Sequence, residues 1–505
     1  MSLIQVSHLT FSYDGSFDNV FEDVSFQIDS DWRLGLIGRN GRGKTTLLRL
    51  LQGNYEYRGD ILADIDFEYF PCPVEDPAAP AREVLLGKIG MHEEWELLRE
   101  LSLLRVPEEV LDRPFSTLSG GEQTKLLLAA LFVQEEKFVL IDEPTNHLDA
   151  QARELVGEYL QSKKGFILVS HDRSLLDSCV DHVMSINREG IEIQRGNYSS
   201  WEENRRRQDD FELAQNEKYK KEIRRLNDAA RRTANWSDQV EKSKKGTRNS
   251  GLRPDRGYIG HKSAKMMQRA KNIEARRTEA VEEKSKLLKN VEENEPLKLS
   301  PLPWKGGPLV LAQDVSLSYG DRTICSGIDL EVRPGDRIAL TGPNGCGKTT
   351  LLRLILEEKG AAQGRTVSCT GTFRLGSGLV ISYVPQDTSS LHGSLDAFVR
   401  DCGIDAVLCR AILRKLGFER AQFEKELQGY SEGQKKKVLL AKSLCEKAHL
   451  YLWDEPLNYI DLLSREQIED LILEYRPTIL FVEHDRTFCE KISTRTITLQ
   501  KRKEG

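Results

Sequence analysis

The chain has 505 residues, of which 39% are hydrophobic and 30% charged, and its formal net charge is −6. This composition is typical of water-soluble globular proteins, and the length allows about three domains. No run of apolar residues approaches the roughly 18 that a membrane helix needs, and the start, MSLIQVSHLTFSYDG, has no secretory pattern. We therefore expect a cytoplasmic protein without membrane spans, whose nine cysteines, with no CxxC pair among them, are reduced.

Short apolar runs alternate with polar or Gly-rich turns and helix-like stretches in residues 1–200, and again in 301–505. RLGLIG, KFVLID and FILVS, and later RIALTG, LYLWDE and ILFVE, predict buried parallel strands. The stretch TKLLLAALF predicts an amphipathic helix. We therefore predict one α/β domain at each end of the chain.

Residues 201–300 break this alternation and have the pattern of long helices. They contain 26 Lys/Arg and 18 Asp/Glu, and within 231–277 the count is 14 against 4. Two apolar seams at helical spacing predict two helices, and the glycines and proline between them mark a basic tip at 241–264. The seams are Tyr219, Ile223, Leu226 and Ala230, then Met266, Ile273, Ala280 and Leu287. We predict a helical hairpin linker at 201–300 between domains at 1–200 and 301–505.

Four motifs occur twice in the same order, once in each α/β domain. GRNGRGKTT pairs with GPNGCGKTT, STLSGGEQTKLLLA with QGYSEGQKKKVLLA, KFVLIDEPTNHLD with HLYLWDEPLNYID, and ILVSHDRSLL with ILFVEHDRTFC. The copies are offset by 304 residues at Lys44 and Lys348 and by 312 at Glu143 and Glu455. The chain therefore duplicates one unit of about 200 residues.

The first motif, GxxxxGK[ST], predicts a loop whose backbone N–H groups bind the phosphates of a nucleotide at a helix N-terminus. Lys44 and Lys348 supply point charges to the phosphates, and Thr45 and Thr349 are placed to bind Mg²⁺. The predicted loops comprise Gly38, Arg39, Asn40, Gly41, Arg42, Gly43, Lys44, Thr45 and Thr46, and Gly342, Pro343, Asn344, Gly345, Cys346, Gly347, Lys348, Thr349 and Thr350. An apolar strand before each loop and LLRL after it support this interpretation.

Acidic residues and histidines at strand ends predict the hydrolytic groups. Asp142 and Asp454 are expected to hold the metal through water, and Glu143 and Glu455 to orient or deprotonate the attacking water. His171 and His484 are candidates for γ-phosphate switches, a structural histidine being the alternative. Two aromatic residues ahead of the loops are candidates to stack on adenine, although either could be an ordinary strand aromatic. They are Tyr13 and Tyr319.

Together these motifs resemble ATP-binding-cassette proteins over nearly all of both halves: Walker A, the signature (LSGGE, YSEGQ), Walker B and the switch histidine. The resemblance implies an α/β fold of two P-loop cassettes in tandem, joined by a long α-helical hairpin, with ATP and Mg²⁺ as cofactors and ATPase activity. It also implies head-to-tail pairing of the cassettes within one monomeric chain, so that Lys44 faces one signature and Lys348 the other. The signature residues are Ser119, Gly120, Gly121 and Glu122, and Ser431, Gly433 and Gln434.

Two departures from the family pattern fall on the site of the first Walker loop. Glu432 replaces a signature glycine, which would add negative charge near the γ-phosphate that faces Lys44. The Q-loop position is Gln386 in YVPQ, where it is expected to bind Mg²⁺, but Cys72 in YFPC. The two sites are therefore predicted to hydrolyse ATP unequally, with the first site slower.

Two cassettes, no membrane domain and a linker of about 100 residues resemble the ABC-F family. YSEGQKKKVLLA and LWDEPLNYID resemble its Lsa-type antibiotic-resistance branch. The resemblance implies binding at the ribosomal exit site, near large-subunit rRNA and the peptidyl-site tRNA, with the linker directed toward the peptidyl-transferase centre. It also implies protection against lincosamides, pleuromutilins and streptogramin A compounds.

The basic tip fits RNA, because several Lys and Arg side chains can neutralise phosphates and an aromatic ring can stack on an exposed base. A solvated charged loop is the alternative that composition leaves open. The candidate RNA-binding residues are Lys242, Lys244, Lys245, Arg248, Arg253, Arg256, Tyr258, Lys262 and Lys265.

Three other functions remain open on sequence. The first is a housekeeping ABC-F translation factor that rescues stalled ribosomes. The second is a DNA-acting cassette ATPase, which is disfavoured because such proteins usually carry zinc CxxC pairs or a longer coiled coil. The third is the detached motor of a transporter, which gives the basic hairpin no role.

Overall fold

The computed structural model describes residues 2–13, 19–134, 136–145, 148–187, 190–243, 268, 297–320, 322–360 and 367–500. The chain divides into two compact units: one comprises Met1–Trp201 with Glu295–Gly505, and the other Glu202–Asn294. The first unit contains two α/β cassettes that repeat the same order of elements. The tandem cassette fold predicted from the duplicated motifs is therefore confirmed.

The first cassette is built on a six-stranded sheet of order β5-β6-β7-β3-β8-β9, parallel except for β9. Its strands are β3 (Arg33–Gly38), β5 (Phe67–Phe70), β6 (Phe138–Asp142), β7 (Phe166–Val169), β8 (His182–Ile186) and β9 (Ile191–Arg195). A separate antiparallel sheet, not predicted from the sequence, contains β1 (Leu3–Phe11), β2 (Phe21–Asp29) and β4 (Arg58–Leu62). The central strands β6 and β7 are buried on both faces, which explains their continuous apolar sequences.

Six helices surround these sheets in the described part of the first cassette. They are α1 (Lys44–Leu51), α2 (Ala81–Ile89), α3 (Glu94–Leu103), α4 (Gly120–Val133), α5 (Ala150–Gln161) and α6 (Arg173–Cys179), with 3₁₀ turns at Glu108–Asp112 and Phe115–Thr117. The prediction that TKLLLAALF is amphipathic was wrong. All of these residues except Lys125 are buried, because α4 packs against both α2 and α3 inside the helical part of the cassette.

The second cassette repeats this plan with a five-stranded parallel sheet of order β14-β15-β16-β12-β17 and an antiparallel sheet of order β11-β10-β13. Its strands are β10 (Val310–Tyr319), β11 (Arg322–Val332), β12 (Arg337–Thr341), β13 (Ser368–Leu375), β14 (Ile381–Val384), β15 (Leu450–Asp454), β16 (Ile479–Val482) and β17 (Arg495–Thr498). Its helices are α8 (Lys348–Glu358), α9 (Leu395–Asp401), α10 (Ala406–Lys415), α11 (Glu432–Cys445), α12 (Leu462–Tyr475) and α13 (Arg486–Ile492), with 3₁₀ turns at Arg420–Glu424 and Leu427–Gly429.

Helix α7 (Tyr198–Ser243) begins the linker and has 46 residues. At a rise of 1.5 Å per residue it is about 69 Å long. Tyr219 and Ile223 of the predicted seam are half-buried. Helix α7 agrees with the first helix of the predicted hairpin, whereas the second helix and the tip residues 244–264 lie outside the described residues.

Candidate ATP sites

The two Walker loops connect a central strand to a helix in the same way in both cassettes. The loop after β3 leads into α1, and the loop after β12 leads into α8. Gly43 and Gly347 precede these helices with φ values of +89° and +100°, which glycine adopts without strain. The side chain of Lys44 lies along its loop and donates to the carbonyl oxygen of Gly38 at 2.7 Å, and Lys348 donates to Gly342 at 2.8 Å. Backbone N–H groups and an ammonium group are therefore concentrated at each helix N-terminus, which suits a polyphosphate.

Residues of both cassettes line a cavity of about 530 Å³ over the second Walker loop. The second cassette contributes the loop together with three predicted residues of the hydrolytic machinery, and the first cassette contributes part of its signature. The cavity is lined by Gly120, Leu148, Ile324, Asn344, Gly345, Gly347, Lys348, Thr349, Thr350, Gln386, Glu455 and His484. The structure therefore brings the second Walker loop and the first signature together, within the volume range of small-ligand sites.

Glu455 is held by polar side chains from three different segments. Its carboxylate accepts hydrogen bonds from Gln386 Nε2 at 2.9 Å and Asn458 Nδ2 at 2.6 Å, and His484 Nε2 lies 3.5 Å away. Burial opposes ionisation of this carboxyl, but the hydrogen bond and charge of His484 and the charge of Lys436 lower the pKa of Glu455 below its usual value. Glu455 is thus an ionised, fixed acceptor, suited to orienting a water molecule.

The backbone at the two glutamates is strained in the same way. Glu143 has a φ of +52° and Glu455 a φ of +47°, a left-handed conformation that non-glycine residues adopt at an energetic cost. Such strain persists where the surrounding structure enforces it, typically at functional sites. Its occurrence in both copies supports a role for these side chains in chemistry.

The first site has the same components in a different electrostatic environment. Thr45 Oγ1 donates to Asp142 Oδ2 at 2.7 Å, and His171 Nε2 lies 3.2 Å from Glu143 Oε1. Burial, reinforced by the charge of Asp142, raises the pKa of Glu143 to about 8. Burial also lowers the pKa of His171 well below its usual value, and nearby Lys44 acts in the same direction. The two predicted hydrolytic groups of this site are therefore both favoured in their neutral forms.

The second signature faces the first Walker loop at very short range. Asn40 Nδ2 donates to the carbonyl oxygen of Tyr459, which follows Walker B of the other cassette, at 2.7 Å. A Cβ atom at Gly433 would lie 2.4 Å from that oxygen and 2.7 Å from Asn40 Nδ2, so only glycine fits there. Both Walker loops thus lie opposite the signature of the other cassette, in the expected head-to-tail pairing.

The charge of Glu432 is balanced inside its own cassette. Its carboxylate accepts hydrogen bonds from Thr388 Oγ1 at 2.5 Å and from Lys435 Nζ at 2.9 Å. The hydrogen bonds from Thr388 and Lys435 outweigh burial and lower the pKa of Glu432. Cys72, the other departure, is half-buried and packs against the apolar core of the first cassette. The structure therefore links the altered signature to the segment after Gln386, a contact that the sequence did not indicate.

The remaining predicted residues lie in or beside these sites. Ser119 and Ser431 cap α4 and α11, where each accepts a hydrogen bond from the backbone N–H three residues later. Tyr13 is exposed and its hydroxyl contacts Thr46 Oγ1 at 2.7 Å, while Tyr319 is half-buried with its hydroxyl 3.4 Å from Arg353. The basic candidates from Lys244 to Lys265 lie outside the described residues, and nothing is described of the side chain of Lys242.

Sequence reasoning missed two polar groups that contact the Walker B residues. Tyr69 donates to Asp142 Oδ2 at 2.9 Å, and Asn458 donates to Glu455. Asn458 could have been found, because the asparagine three residues after the Walker B glutamate is repeated in DEPTN and DEPLN. Tyr69 is also repeated, as Tyr383 in YVPQ, but a tyrosine within an apolar strand pattern does not distinguish a polar contact from ordinary packing.

The acidic residues fit a divalent cation next to each Walker loop. Asp454 is fully buried, and burial raises its pKa to about 6 although Thr349 beside it acts in the opposite direction; within the described residues neither carboxylate oxygen has a hydrogen bond of normal geometry. A buried carboxylate without such partners is costly unless a cation compensates it. Thr45 and Asp142 already touch in the first site. The hydroxyl oxygen of the Walker threonine and the carboxylate oxygens of the Walker B aspartate, in each site, are hard ligands of the kind that Mg²⁺ prefers.

Unequal hydrolysis at the two sites remains a prediction, and single variants of the two Walker B glutamates test it. With Glu455→Gln only the first site turns over, and with Glu143→Gln only the second. We expect slower turnover of the first site, because Cys72 cannot replace Gln386 in holding the Walker B glutamate and because Glu143 is favoured in its neutral form. Steady-state phosphate release by the two single variants measures this difference. Equal rates would contradict the prediction.

Within the described residues, no helix is both long enough and apolar enough to cross a membrane. The family model described as "ABC transporter" matches residues 21–146 and 325–458, which together make up half of the chain. These matches contain both Walker loops and both signatures. They confirm two ATP-binding cassettes and the ATPase activity predicted from the motifs.

Proteins with both cassettes match the chain over nearly its whole length. It is 29% identical to the ribosome protection protein VmlR of Bacillus subtilis, over 97% of this chain and 85% of that protein. It is 24% identical to ABC transporter F family member 2 of Arabidopsis thaliana, over 98% of this chain and 76% of that one. An archaeal ribosome recycling factor, aABCE1, solved with the ribosomal stalk protein aP1, shares the fold with a TM-score of 0.58 and 20% identity, over 92% and 82% of the two chains. The chain therefore belongs to the ABC transporter family, as a two-cassette ATPase whose motifs resemble those of the ABC-F type.

Proposed function

We propose that this protein is a cytoplasmic ATPase that binds the ribosome at its exit site and directs its linker toward the peptidyl-transferase centre, where it counteracts antibiotics. The observation that carries the proposal is the similarity to a ribosome protection protein along almost the whole chain, linker included. The proposed drug classes are lincosamides, pleuromutilins and streptogramin A compounds, as the Lsa-type resemblance implies. The proposed partners are large-subunit rRNA and the peptidyl-site tRNA, contacted by a monomeric chain.

The residues of the ATP sites have distinct proposed roles. The backbone N–H groups of the Walker loops, together with Lys44 and Lys348, bind the β- and γ-phosphates. In the first site Thr45 and Asp142 would hold Mg²⁺, which neutralises phosphate charge, and in the second site Thr349 and Asp454 would do so. Glu455, fixed by Gln386 and Asn458, orients the attacking water and accepts its proton, and His484 contacts the γ-phosphate. Glu143 and His171 do the same at the first site. Tyr13 and Tyr319 are proposed to contact adenine, and the signature residues to complete each site from the opposite cassette.

ATP would act by binding more tightly to the closed arrangement of the cassettes than to an open one. Hydrolysis then removes this preference and releases the protein from the ribosome. The proposed domains are a first cassette at 1–200, a linker at 201–300 and a second cassette at 301–505. The 46 residues of helix α7, about 69 Å long, support the proposal of a long helical linker.

An inhibitor panel tests the proposed function. Cells that express the protein should tolerate several-fold more of a lincosamide, a pleuromutilin and a streptogramin A compound than cells without it, and should show no change with a compound that acts outside the ribosome. A Lys44→Ala/Lys348→Ala variant, which cannot bind ATP productively, is the matched control. If no ribosome-directed inhibitor is affected but ribosomes still bind the protein, the housekeeping translation factor becomes the better interpretation.

The basic tip offers a separate prediction about RNA contact. Replacing Lys242, Lys244 and Lys245 by Gln should weaken binding to ribosomes and reduce its dependence on salt, since each phosphate contact contributes roughly one unit to the slope of log K against log salt. ATP hydrolysis by the free protein should not change. Replacing three exposed lysines of α7 outside the tip, Lys218, Lys220 and Lys221, is the control. Equal effects of the two triple variants would show that net charge matters and the tip does not.

A further inference from the structure

The cassettes are related by an approximate twofold axis, and a pair of equivalent residues marks its position. Ser174 Oγ and Thr487 Oγ1 lie 3.3 Å apart, one at the start of α6 and the other at the start of α13. The two residues occupy the same place in HDRS and HDRT, offset by 313 residues. Because equivalent residues meet at such an axis, every contact on one side of it should have a counterpart on the other side.

On the side of the first ATP site, a buried ion pair joins the cassettes directly. Arg173 Nη1 of α6 lies 3.1 Å from Glu469 Oε1 of α12, with side-chain exposures of 8% and 1%. Lys491 Nζ contacts the other oxygen of Glu469 at 2.8 Å. Arg173 follows the predicted switch residue His171 by two positions. Through Arg173, Glu469 therefore contacts the segment of the opposite cassette that contains His171.

Within the described residues, no buried ion pair joins the cassettes at the equivalent positions on the other side. Arg486 occupies the place of Arg173, but its side chain is 75% exposed and pairs with Glu490 of its own helix at 2.8 Å; the charge of Glu154 in the first cassette also acts on it. The place of Glu469 in the first cassette is taken by Gly157 of α5, at the same offset of 312 that relates the Walker B glutamates. A Cβ atom at Gly157 would lie 2.8 Å from Ser178 Oγ, so the site has no room for a longer side chain.

The Walker loops show the same one-sided packing. Arg39 of the first loop packs against Gly417, where a Cβ atom would lie 3.5 Å from Arg39 Nη1. In the second loop the equivalent of Arg39 is Pro343, and the equivalent of Gly417 is Arg105, which has a φ of +50°. On that side a cavity of about 520 Å³ is lined by residues of the first cassette, Arg105 and Lys125 among them, and by Asn344 of the second Walker loop. The second Walker loop thus borders open space at a place where Arg39 of the first loop packs against Gly417.

We propose that Glu469 is a positioning residue for ATP hydrolysis at the first site, which acts through Arg173 to hold the segment of His171 in place from the opposite cassette. In the described part of the chain the second site has no buried ion pair of this kind, and it is the site that opens and closes during the cycle. Glu469 does not line the cavity over the second Walker loop, and its described contacts are with Arg173 and Lys491. Its effect is to keep the first site assembled while the cassettes move about that side of the interface.

Site-specific turnover of the full chain tests the proposal. In the Glu455→Gln background, where only the first site hydrolyses ATP, Glu469→Gln should lower kcat by roughly tenfold or more, because small displacements of reacting groups are costly. In the Glu143→Gln background, where only the second site is active, the change should stay below about twofold. Loss of the same factor at both sites, or at neither, would overturn the proposal.

Two controls separate positioning from general damage. Arg173→Gln should reproduce the effect of Glu469→Gln, and the double variant should be no worse than either single variant, since the two residues act as one unit. The symmetric variant Arg486→Gln should leave both sites unchanged. Glu469→Asp, which keeps the charge, should recover part of the first-site kcat. Additive effects of Arg173→Gln and Glu469→Gln would contradict the coupling.

Hydrogen exchange of the wild-type chain without nucleotide gives an independent measurement, which remains informative if the variants fold poorly. Amides around His171 to Leu176 should be more protected than the equivalent amides around His484 to Cys489. Equal protection of the two segments would overturn the proposal, because the ion pair would then not restrain the first site.

Discussion

The Glu143→Gln/Glu455→Gln double variant will lose ATP hydrolysis by roughly 100-fold or more and will remain bound to ribosomes in the presence of ATP. The loss of hydrolysis is expected because a positioned carboxylate base contributes about 10²–10⁴-fold to the rate. The amide keeps the shape of each side chain, and in Glu455→Gln its oxygen can still accept the hydrogen bonds from Gln386 and Asn458, so ATP binding and closure of the cassettes should persist. Phosphate release and co-sedimentation with ribosomes measure the two effects.

A matched control comes from Glu474→Gln, an exposed residue of α12 outside the ATP sites. It should hydrolyse ATP normally and leave ribosomes after one round. Retained hydrolysis in the double variant would refute the assigned roles of the two glutamates. Lost hydrolysis without co-sedimentation would leave the ATP sites as assigned and refute the ribosome as the partner.

Lys437→Met will destabilise the second cassette by about 3–5 kcal/mol, the usual result of removing one partner of a buried ion pair. Lys437 Nζ lies 2.5 Å from Asp461 Oδ2, with side-chain exposures of 4% and 1%, and also donates to the carbonyl oxygen of Leu416. Asp461 caps α12 through the N–H of Ser464. The substitution would therefore leave an uncompensated buried charge at a helix start. Chemical unfolding of the full chain measures the loss of stability.

Lys125→Met is the matched control, because Lys125 is the equivalent residue of the first cassette. It is only half-buried, and its environment is the open cavity, so the cost should stay within about 1 kcal/mol. Equal destabilisation by the two substitutions would show that burial of the Lys437–Asp461 pair is not the cause.

The same pair predicts how stability depends on pH. Although burial opposes it, the charge and hydrogen bond of Lys437 lower the pKa of Asp461 below its ordinary value. A carboxyl whose folded pKa is depressed contributes stability above its unfolded pKa of about 3.9, and this contribution is lost as the pH falls through the folded pKa. In the Lys437→Met variant, the free energy of unfolding should therefore fall less steeply than in the wild type as the pH is lowered below about 4.

Local chemistry explains which parts of this protein could be predicted from its sequence. The Walker loops, the strands β3, β6, β7, β12, β15 and β16, and the repeated motifs were predicted correctly, because phosphate-binding loops and buried parallel strands depend on short, contiguous patterns. The error at α4 has a related cause. Its flanking polar residues suggested a solvent-exposed face, but neighbouring helices bury almost all of it.

The duplicated sequence by itself determined that the chain has two cassettes, which residues are the candidates for ATP binding and hydrolysis, and that the copies differ at Cys72 and Glu432. Tertiary structure alone decided what those differences contact: Glu432 bonds Thr388, and Gln386 holds Glu455. It also decided that Arg173 meets Glu469, 296 residues away along the chain, whereas the equivalent Arg486 is exposed. These contacts depend on how elements that are distant in the sequence pack against each other. Local sequence patterns do not indicate that packing, because the burial that strengthens the contacts exists only when the cassettes are assembled.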